Sequence, residues 1–208
     1  MCLHKNIQFQ NKKIQLKIIN KKVLLDLSSD GFNFDKEISP FIRQGIIIDA
    51  CVIKTLIDGF IETRISKKNS ANIPDFEMIL RFLELIKIKN EWNRFFVTPH
   101  ILTEVFQLFR DMGYHKWENY QDVLKEIMPL INSMGEVKAD KIKILKHINH
   151  KNPVIQMGDI SIYVTVDDLT DSKNKIAVLS ADLEVINRFI NDPRVLAMNY
   201  RQIMLNFN

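Results

Sequence analysis

Cysteine is scarce in this chain, and so are the other marks of a disulfide or zinc framework. Only Cys2 and Cys51 occur among 208 residues, and their spacing matches no metal motif, which favours a reducing, cytoplasmic environment. Long hydrophobic runs are also missing, because no apolar stretch approaches the roughly 20 residues of a membrane-spanning helix. The opening MCLHKNIQFQNKK lacks the continuous apolar segment of a secretion signal. We therefore expect a soluble globular protein with no membrane association.

The start of the chain lacks acidic residues, and the first Asp or Glu in the sequence is Asp26. Residues 1–44 hold eight Lys and Arg against four acids, whereas residues 45–208 hold 21 of each, so the formal charge of +4 belongs to the first segment. Such a segment suits an anionic partner such as RNA, although lysines guarding an exposed strand edge would give the same composition. We predict a basic, β-rich N-terminal extension over 1–44, in the form of a hairpin or an arm, and a separate domain over 45–208.

Short buried strands alternate with amphipathic helices from residue 45 onward. Strands are predicted at GIIID (45–49), RFFVT (94–98), KIAVLS (175–180) and RVLAMN (194–199), and helices at 50–65, 75–88, 99–112, 118–131, 136–149 and 183–191. This alternation predicts an α/β fold with a central, mainly parallel sheet that has helices on both faces. The segment GDISIYVTVDD (158–168) has the composition of a strand, although its spacing also permits a helix.

Four acids lie next to these predicted elements. Asp49 closes the first core strand, Glu104 lies in the helix after the second strand, Asp159 opens the ambiguous segment, and Asp182 follows the third strand by two residues. Open α/β sheets bind ligands beyond the carboxyl ends of their strands. Each of the three Asp residues could instead cap a helix. Glu104 lies along the apolar stripe of its helix, where a carboxylate needs a partner.

Carboxylates that converge at one sheet edge repel each other unless a cation lies between them. Oxygen ligands without His or Cys favour Mg²⁺ or Mn²⁺ over Zn²⁺. A cation of this kind can activate water and neutralise charge on a leaving oxygen, which is the chemistry of phosphodiester hydrolysis.

Four short motifs, IIIDACV, VTPHILTEV, MGDISIYV and AVLSADLEV, resemble in this order the acidic motifs of PIN-domain nucleases. The resemblance covers about residues 45–200 and implies a three-layer α/β/α domain that cleaves single-stranded RNA with Mg²⁺ or Mn²⁺. It implies that Asp49, Glu104, Asp159 and Asp182 bind the metal and that Ser180 helps to orient the site. It also favours a helix for 158–168. The long basic extension is a departure from the minimal domain of this family.

Two functions are therefore compared. The first is a cytoplasmic, metal-dependent endoribonuclease, which the resemblance would allow to be toxin-like, dimeric and inhibited by an antitoxin or another regulatory protein. The alternative is a catalytically inactive PIN-like module that binds RNA or protein. Among weaker candidates, Lys54 could reach a phosphate, Glu184 could substitute as a ligand, and Cys51 is most simply a small buried residue. Cys51 also stands where a haloacid dehalogenase-type phosphatase would need a second Asp, which argues against that class.

Overall fold

The structure, a computed structural model, describes residues 15–19, 22–26, 37–67, 69–70, 73–111, 113, 120–151, 156–170 and 174–205. The strands are β1 (Gln15–Ile19), β2 (Lys22–Asp26), β3 (Ile46–Ile48), β4 (Phe95–Val97), β5 (Gly135–Glu136), β6 (Ile176–Ser180) and β7 (Val195–Asn199). The α-helices are α1 (Ser39–Ile42), α2 (Ala50–Phe60), α3 (Pro74–Leu85), α4 (Pro99–Asp111), α5 (Tyr120–Ser133), α6 (Lys141–Lys151), α7 (Met157–Leu169), α8 (Leu183–Phe189) and α9 (Tyr200–Leu205). A π-helical turn, Ile61–Ile65, extends α2, and a short 3₁₀ helix, Trp92–Arg94, precedes β4.

Strands β3 to β7 form a five-stranded, all-parallel sheet in the order β7-β6-β3-β4-β5, flanked by helices. The chain moves outward from β3 through β4 to β5 and then returns to the other side of β3 for β6 and β7. The three Ile residues of β3 are fully buried, as expected for a central parallel strand whose two faces are both covered. The prediction of an α/β fold with a parallel sheet is therefore confirmed.

Helix α7 resolves the ambiguity of the segment 158–168. Every residue from Ile160 to Val166 is buried, and α7 packs against both α4 and α6. A helix that is buried on all sides is apolar all round and has no polar face. Its β-branched residues therefore reflect burial, and the helix that the resemblance favoured is the one observed.

Strand β5 and helix α9 are among the elements that the sequence prediction missed. Strand β5 is a fifth core strand of only two residues, held beside β4 through the pairs Phe96–Gly135 and Val97–Glu136. Because β5 includes Glu136, α6 begins only at Lys141, whereas the helix was predicted to begin at residue 136. Helix α9 follows β7 directly, where no helix was predicted. Within the described residues, the helices lack the combination of length and apolarity that a membrane crossing requires.

The N-terminal segment is described only in part. Strands β1 and β2 pair antiparallel, and β2 lies parallel to β7 through the pair Lys22–Ala197. Residues 1–14 and 27–36 lie outside the described residues, so the predicted form of the extension stays a prediction. The core itself begins before residue 45, because Ile38 and Ile42 are buried in the same cluster as the sheet.

Candidate functional site

Asp49 lies where the strand order of the sheet reverses. It directly follows β3, and its backbone N–H donates to the carbonyl of Leu179 in the neighbouring strand β6 at 3.1 Å. Strands β4 and β5 lie on one side of β3, and β6 and β7 lie on the other. The crevice at such a reversal is the usual ligand site of an open α/β sheet.

The Asp49 carboxylate is fixed by two donors. Asp49 precedes α2 in the N-cap position, but its side chain makes no capping hydrogen bond. Instead Oδ2 accepts from the Ser180 hydroxyl at 2.5 Å and from the Cys51 thiol at 3.0 Å. Burial, together with the Asp49 charge, raises the pKa of Cys51 to about 12, so the thiol stays protonated and can donate. With Asp49 only 5% exposed, these bonds orient a buried carboxylate.

Ser180 connects Asp49 to the turn that carries Asp182. While its hydroxyl donates to Asp49, its oxygen accepts from the backbone N–H of Asp182 at 2.8 Å. Asp182 is exposed and is the N-cap of α8, where its Oδ1 accepts from the Glu184 N–H at 2.7 Å. The capping alternative therefore holds for Asp182, whose second carboxylate oxygen is not used by the cap.

Glu104 is positioned by the packing of α4 against α7. Thr98 caps α4, because its Oγ1 accepts from the Ile101 N–H at 3.2 Å. The buried hydroxyls of Thr98 and Ser161 lie 2.7 Å apart, and Ser161 donates to the Gly158 carbonyl at 2.6 Å. Since Ser161 has one hydroxyl hydrogen, Thr98 must donate to Ser161. This chain of hydrogen bonds ties the start of α4 to the first turn of α7.

The Glu104 carboxylate rests directly against Gly158. A Cβ added to Gly158 would lie only 2.2 Å from Oε2 of Glu104. Any larger residue here would therefore displace the Glu104 carboxylate, which lies beside the residue that precedes Asp159. Asp159 itself is in the first turn of α7, whose N-cap is Gln156. The capping alternative is therefore wrong for Asp159.

The charges of the other three carboxylates disfavour the ionised form of Asp159. Burial raises the pKa of Asp159 to about 7, and the charges of Asp49, Asp182, Glu104 and Glu184 contribute to the rise in that order. Burial also raises the pKa of Glu104, with a further contribution from Asp49. The charges of the other three acids that the sequence singled out, and the charge of Glu184, therefore all act on Asp159.

The carboxylates have the chemistry of a site for a hard cation, but they do not form a ready-made one. Within the described part of the chain, none of Asp49, Glu104, Asp159 and Asp182 forms an ion pair with Lys, Arg or His. Oxygen donors that are crowded and lack a counter-charge are the kind that Mg²⁺ and Mn²⁺ select. As they stand, however, no three acidic, His or Cys side chains among the described residues are arranged to hold a metal ion. Binding would therefore need the side chains to draw together.

Asn199 also belongs to the site, although the sequence prediction did not include it. It ends β7 opposite Ser180, is buried, donates to the Ala181 carbonyl at 3.0 Å and accepts from the Gln202 N–H at 3.1 Å. Asn199 therefore fixes the turn between Ser180 and Asp182. The position of Asn199 in the sequence could have indicated this role, because a polar residue ends the apolar strand VLAMN in the same way that Asp49 follows III.

The structure defines the contacts of Lys54 and Cys51, which the sequence left open. The Lys54 ammonium pairs with Asp58 one turn further along α2. Cys51 is more than a small buried residue, because its thiol also accepts from the Ala181 N–H at 3.3 Å. Both side chains line a cavity next to the carboxylates.

Comparisons with protein-family models, with curated proteins and with solved structures gave no match to this chain. Any functional inference therefore depends on the residues and their geometry.

Proposed function

We propose that this chain is a metal-dependent endoribonuclease that hydrolyses phosphodiester bonds of single-stranded RNA. Asp49, Glu104, Asp159 and Asp182 would bind Mg²⁺ or Mn²⁺, and Ser180 would position Asp49. We further propose that the α/β fold is the three-layer α/β/α sandwich of PIN-like domains, which the order of the four motifs supports. A cytoplasmic location belongs to the same proposal and is supported by the scarcity of cysteine. An antitoxin-like inhibitor and a homodimer also belong to it and depend on the resemblance alone.

One observation carries this proposal: one buried, two half-buried and one exposed carboxylate lie near the point where the strand order reverses, without a described cationic partner. Burying unpaired charges is unfavourable, and Asp159 shows the consequence in a pKa of about 7. A fold that needed only stability would not place four acids there. A bound divalent cation would offset the repulsion and, when bound, would supply Lewis-acid stabilisation and an activated water for attack at phosphorus.

The chain's own residues would each have a defined task. Asp49 is held by Ser180 and Cys51 and so presents a fixed carboxylate. Glu104 and Asp159 lie on two helices that are tied together through Thr98 and Ser161. Asp182 keeps one oxygen for the helix cap. Such fixed placement favours catalysis, because reacting groups that are already oriented avoid an entropic cost.

The direct test is cleavage of labelled single-stranded RNA by the full chain with Mn²⁺, with Mg²⁺ and with EDTA. We expect products with a 5′-phosphate and a 3′-hydroxyl, no cleavage in EDTA, and loss of cleavage in Asp49→Asn and Asp159→Asn at unchanged circular dichroism. Asp122→Asn, at an exposed acid paired with Lys125 on α5, is the matched control and should cleave normally. Cleavage by Asp49→Asn near the wild-type rate would show that the site is wrongly assigned.

The inactive binding module is the second candidate, and one observation favours it. The described side chains form no ready-made metal site, and the basic residues of 1–44 could bind RNA without any metal. This candidate predicts RNA binding that is unaffected by EDTA or by acid substitutions. It also predicts loss of binding when Lys5, Lys12 and Lys13 are replaced with Gln in the full chain.

A further inference from the structure

A cavity of about 540 Å³ lies beside the carboxylates, between α2, the start of α3 and α9. This volume is within the range of about 300–1,000 Å³ that is typical of ligand pockets. Cys51 belongs both to its lining and to the carboxylate cluster, because the thiol lies 3.0 Å from Oδ2 of Asp49. The cavity therefore adjoins the proposed cleavage site at Cys51.

Two basic side chains, Lys54 from α2 and Arg201 from α9, line this cavity. Each is held by a carboxylate of the same lining, because Lys54 pairs with Asp58 and Arg201 donates to Asp75 at 2.7 Å. The Arg201 guanidinium also lies over the Tyr200 ring, 5.8 Å from its centroid. The two cations are thus oriented before any ligand arrives.

Neither ion pair prevents binding of a further anion. The side chains of Lys54 and Arg201 are 28% and 44% exposed, and exposed ion pairs contribute little to stability. An ammonium has three N–H donors and a guanidinium has five, so a cation can keep its carboxylate and still donate to a phosphate oxygen. Arginine in particular matches the geometry of phosphate.

We propose that this cavity binds a phosphate of the RNA strand next to the cleaved bond, with Lys54 and Arg201 as its positioning residues. This inference rests on the proposed function and supplies a part that the carboxylates cannot, because four acids repel a polyanion. A strand that crosses the carboxylate cluster needs cations beside it, and these two lie on the adjoining wall.

The test measures binding of a fluorescent single-stranded RNA to the full chain in EDTA, by anisotropy over a range of salt concentrations. The variants are Lys54→Gln, Arg201→Gln and the double substitution. The matched controls are Lys89→Gln and Arg194→Gln, which remove cations of exposed ion pairs at the opposite edge of the sheet, before β4 and β7. The four single substitutions each remove one positive charge, and a Lys89→Gln/Arg194→Gln double variant matches the double substitution in the cavity, so a difference between the sets reports position.

Each lost phosphate contact should reduce the slope of log affinity against log salt by about 0.7 for a single strand. Because both cations bind the same phosphate, we expect the double variant to reduce it by about 0.7, the controls to leave it unchanged, and Lys54→Arg with Arg201→Lys to restore it. In cleavage assays the double variant should raise KM and leave kcat nearly unchanged. Thermal melting identifies any variant that fails to fold, and the charge-preserving pair then decides the question.

Four results would overturn the inference. The control substitutions could weaken RNA binding as much as the cavity substitutions do. Alternatively, the cavity substitutions could leave the salt slope unchanged while the wild type still cleaves RNA. In either case only the subsite is rejected. The cavity variants could instead lose binding to polyglutamate while keeping RNA affinity, which would indicate a protein partner. A wild type that neither binds nor cleaves RNA would reject the proposed function together with the subsite.

Discussion

Replacement of Asp159 with Asn should stabilise the metal-free protein at neutral pH. Burial and the charges of Asp49, Asp182, Glu104 and Glu184 raise the pKa of Asp159 from an ordinary 3.8 to about 7. Because each pH unit of such a difference corresponds to about 1.4 kcal/mol, the ionised side chain costs up to about 4 kcal/mol. Asp159 is only half-buried, so solvent screening reduces this to about 2–3 kcal/mol.

The sign of the pH dependence follows from proton binding. Below about pH 4 both the folded and the unfolded chain hold the Asp159 proton, and the residue has no unfavourable effect. As the pH rises from about 4 to about 7, the unfolded chain releases this proton while the folded chain keeps it. The free energy of unfolding therefore falls through this window and levels off above it. Asn cannot titrate, so the Asp159→Asn variant lacks this part of the fall.

Urea denaturation in EDTA at about pH 5 and pH 8 measures the effect. We expect the stability advantage of Asp159→Asn over the wild type to grow by about 2 kcal/mol between these two conditions. Asp122→Asn is the control, because this exposed acid on α5 should change stability by less than about 0.5 kcal/mol. Added Mn²⁺ should stabilise the wild type more than the variant. An equal fall in stability for wild type and Asp159→Asn would refute the crowding of charges on which the site depends.

Two further substitutions test how the carboxylates are held. Gly158→Ala would place a Cβ 2.2 Å from the Glu104 carboxylate, so that group must move by about 1 Å and cleavage should fall about 100-fold with little change in melting temperature. Adding Gly158→Ala to Glu104→Gln should cause no additional loss, and independent losses would contradict this coupling. Ser180→Ala removes a donor to Asp49 and should cost about 1–3 kcal/mol in urea denaturation and reduce cleavage, whereas Cys51→Ser keeps a donor at its position and should remain active.

A strand of the sheet could be predicted from the sequence where its own residues form a continuous apolar run. III in β3 and IAVLS in β6 are continuous apolar runs, and both are buried central strands of the observed sheet. β5 could not be found in this way, because Gly135 and Glu136 have no strand preference of their own. Their pairing with β4 is imposed by the packing of the surrounding chain, and sequence periodicity does not report such an effect.

The candidate site was predictable in its acids but not in its supporting residues. Asp49 and Asp182 follow strands directly, so their position at the carboxyl edge could be inferred. Cys51 was taken for a packing residue, since its hydrogen bond to Asp49 depends on the first turn of α2 folding back over the sheet edge. Asn199 acts across two neighbouring strands, a relation that exists only once β6 and β7 are paired.

The contrast between the acids and their supporting residues is the strongest structural argument for a functional site. Thr98, Ser161 and Asn199 are buried polar residues with partners, as a stable fold requires, and they fix the elements that carry the acids. Asp159 lies within the same framework, yet burial and neighbouring charges disfavour its ionised form. The carboxylates differ from other buried polar atoms that lack a hydrogen-bond partner among the described residues, such as Nδ1 of His100 and Oγ1 of Thr165, because neighbouring negative charges add to the unfavourable burial of Asp159. We propose that the missing partner is a divalent cation, whose chemistry would match four oxygen donors.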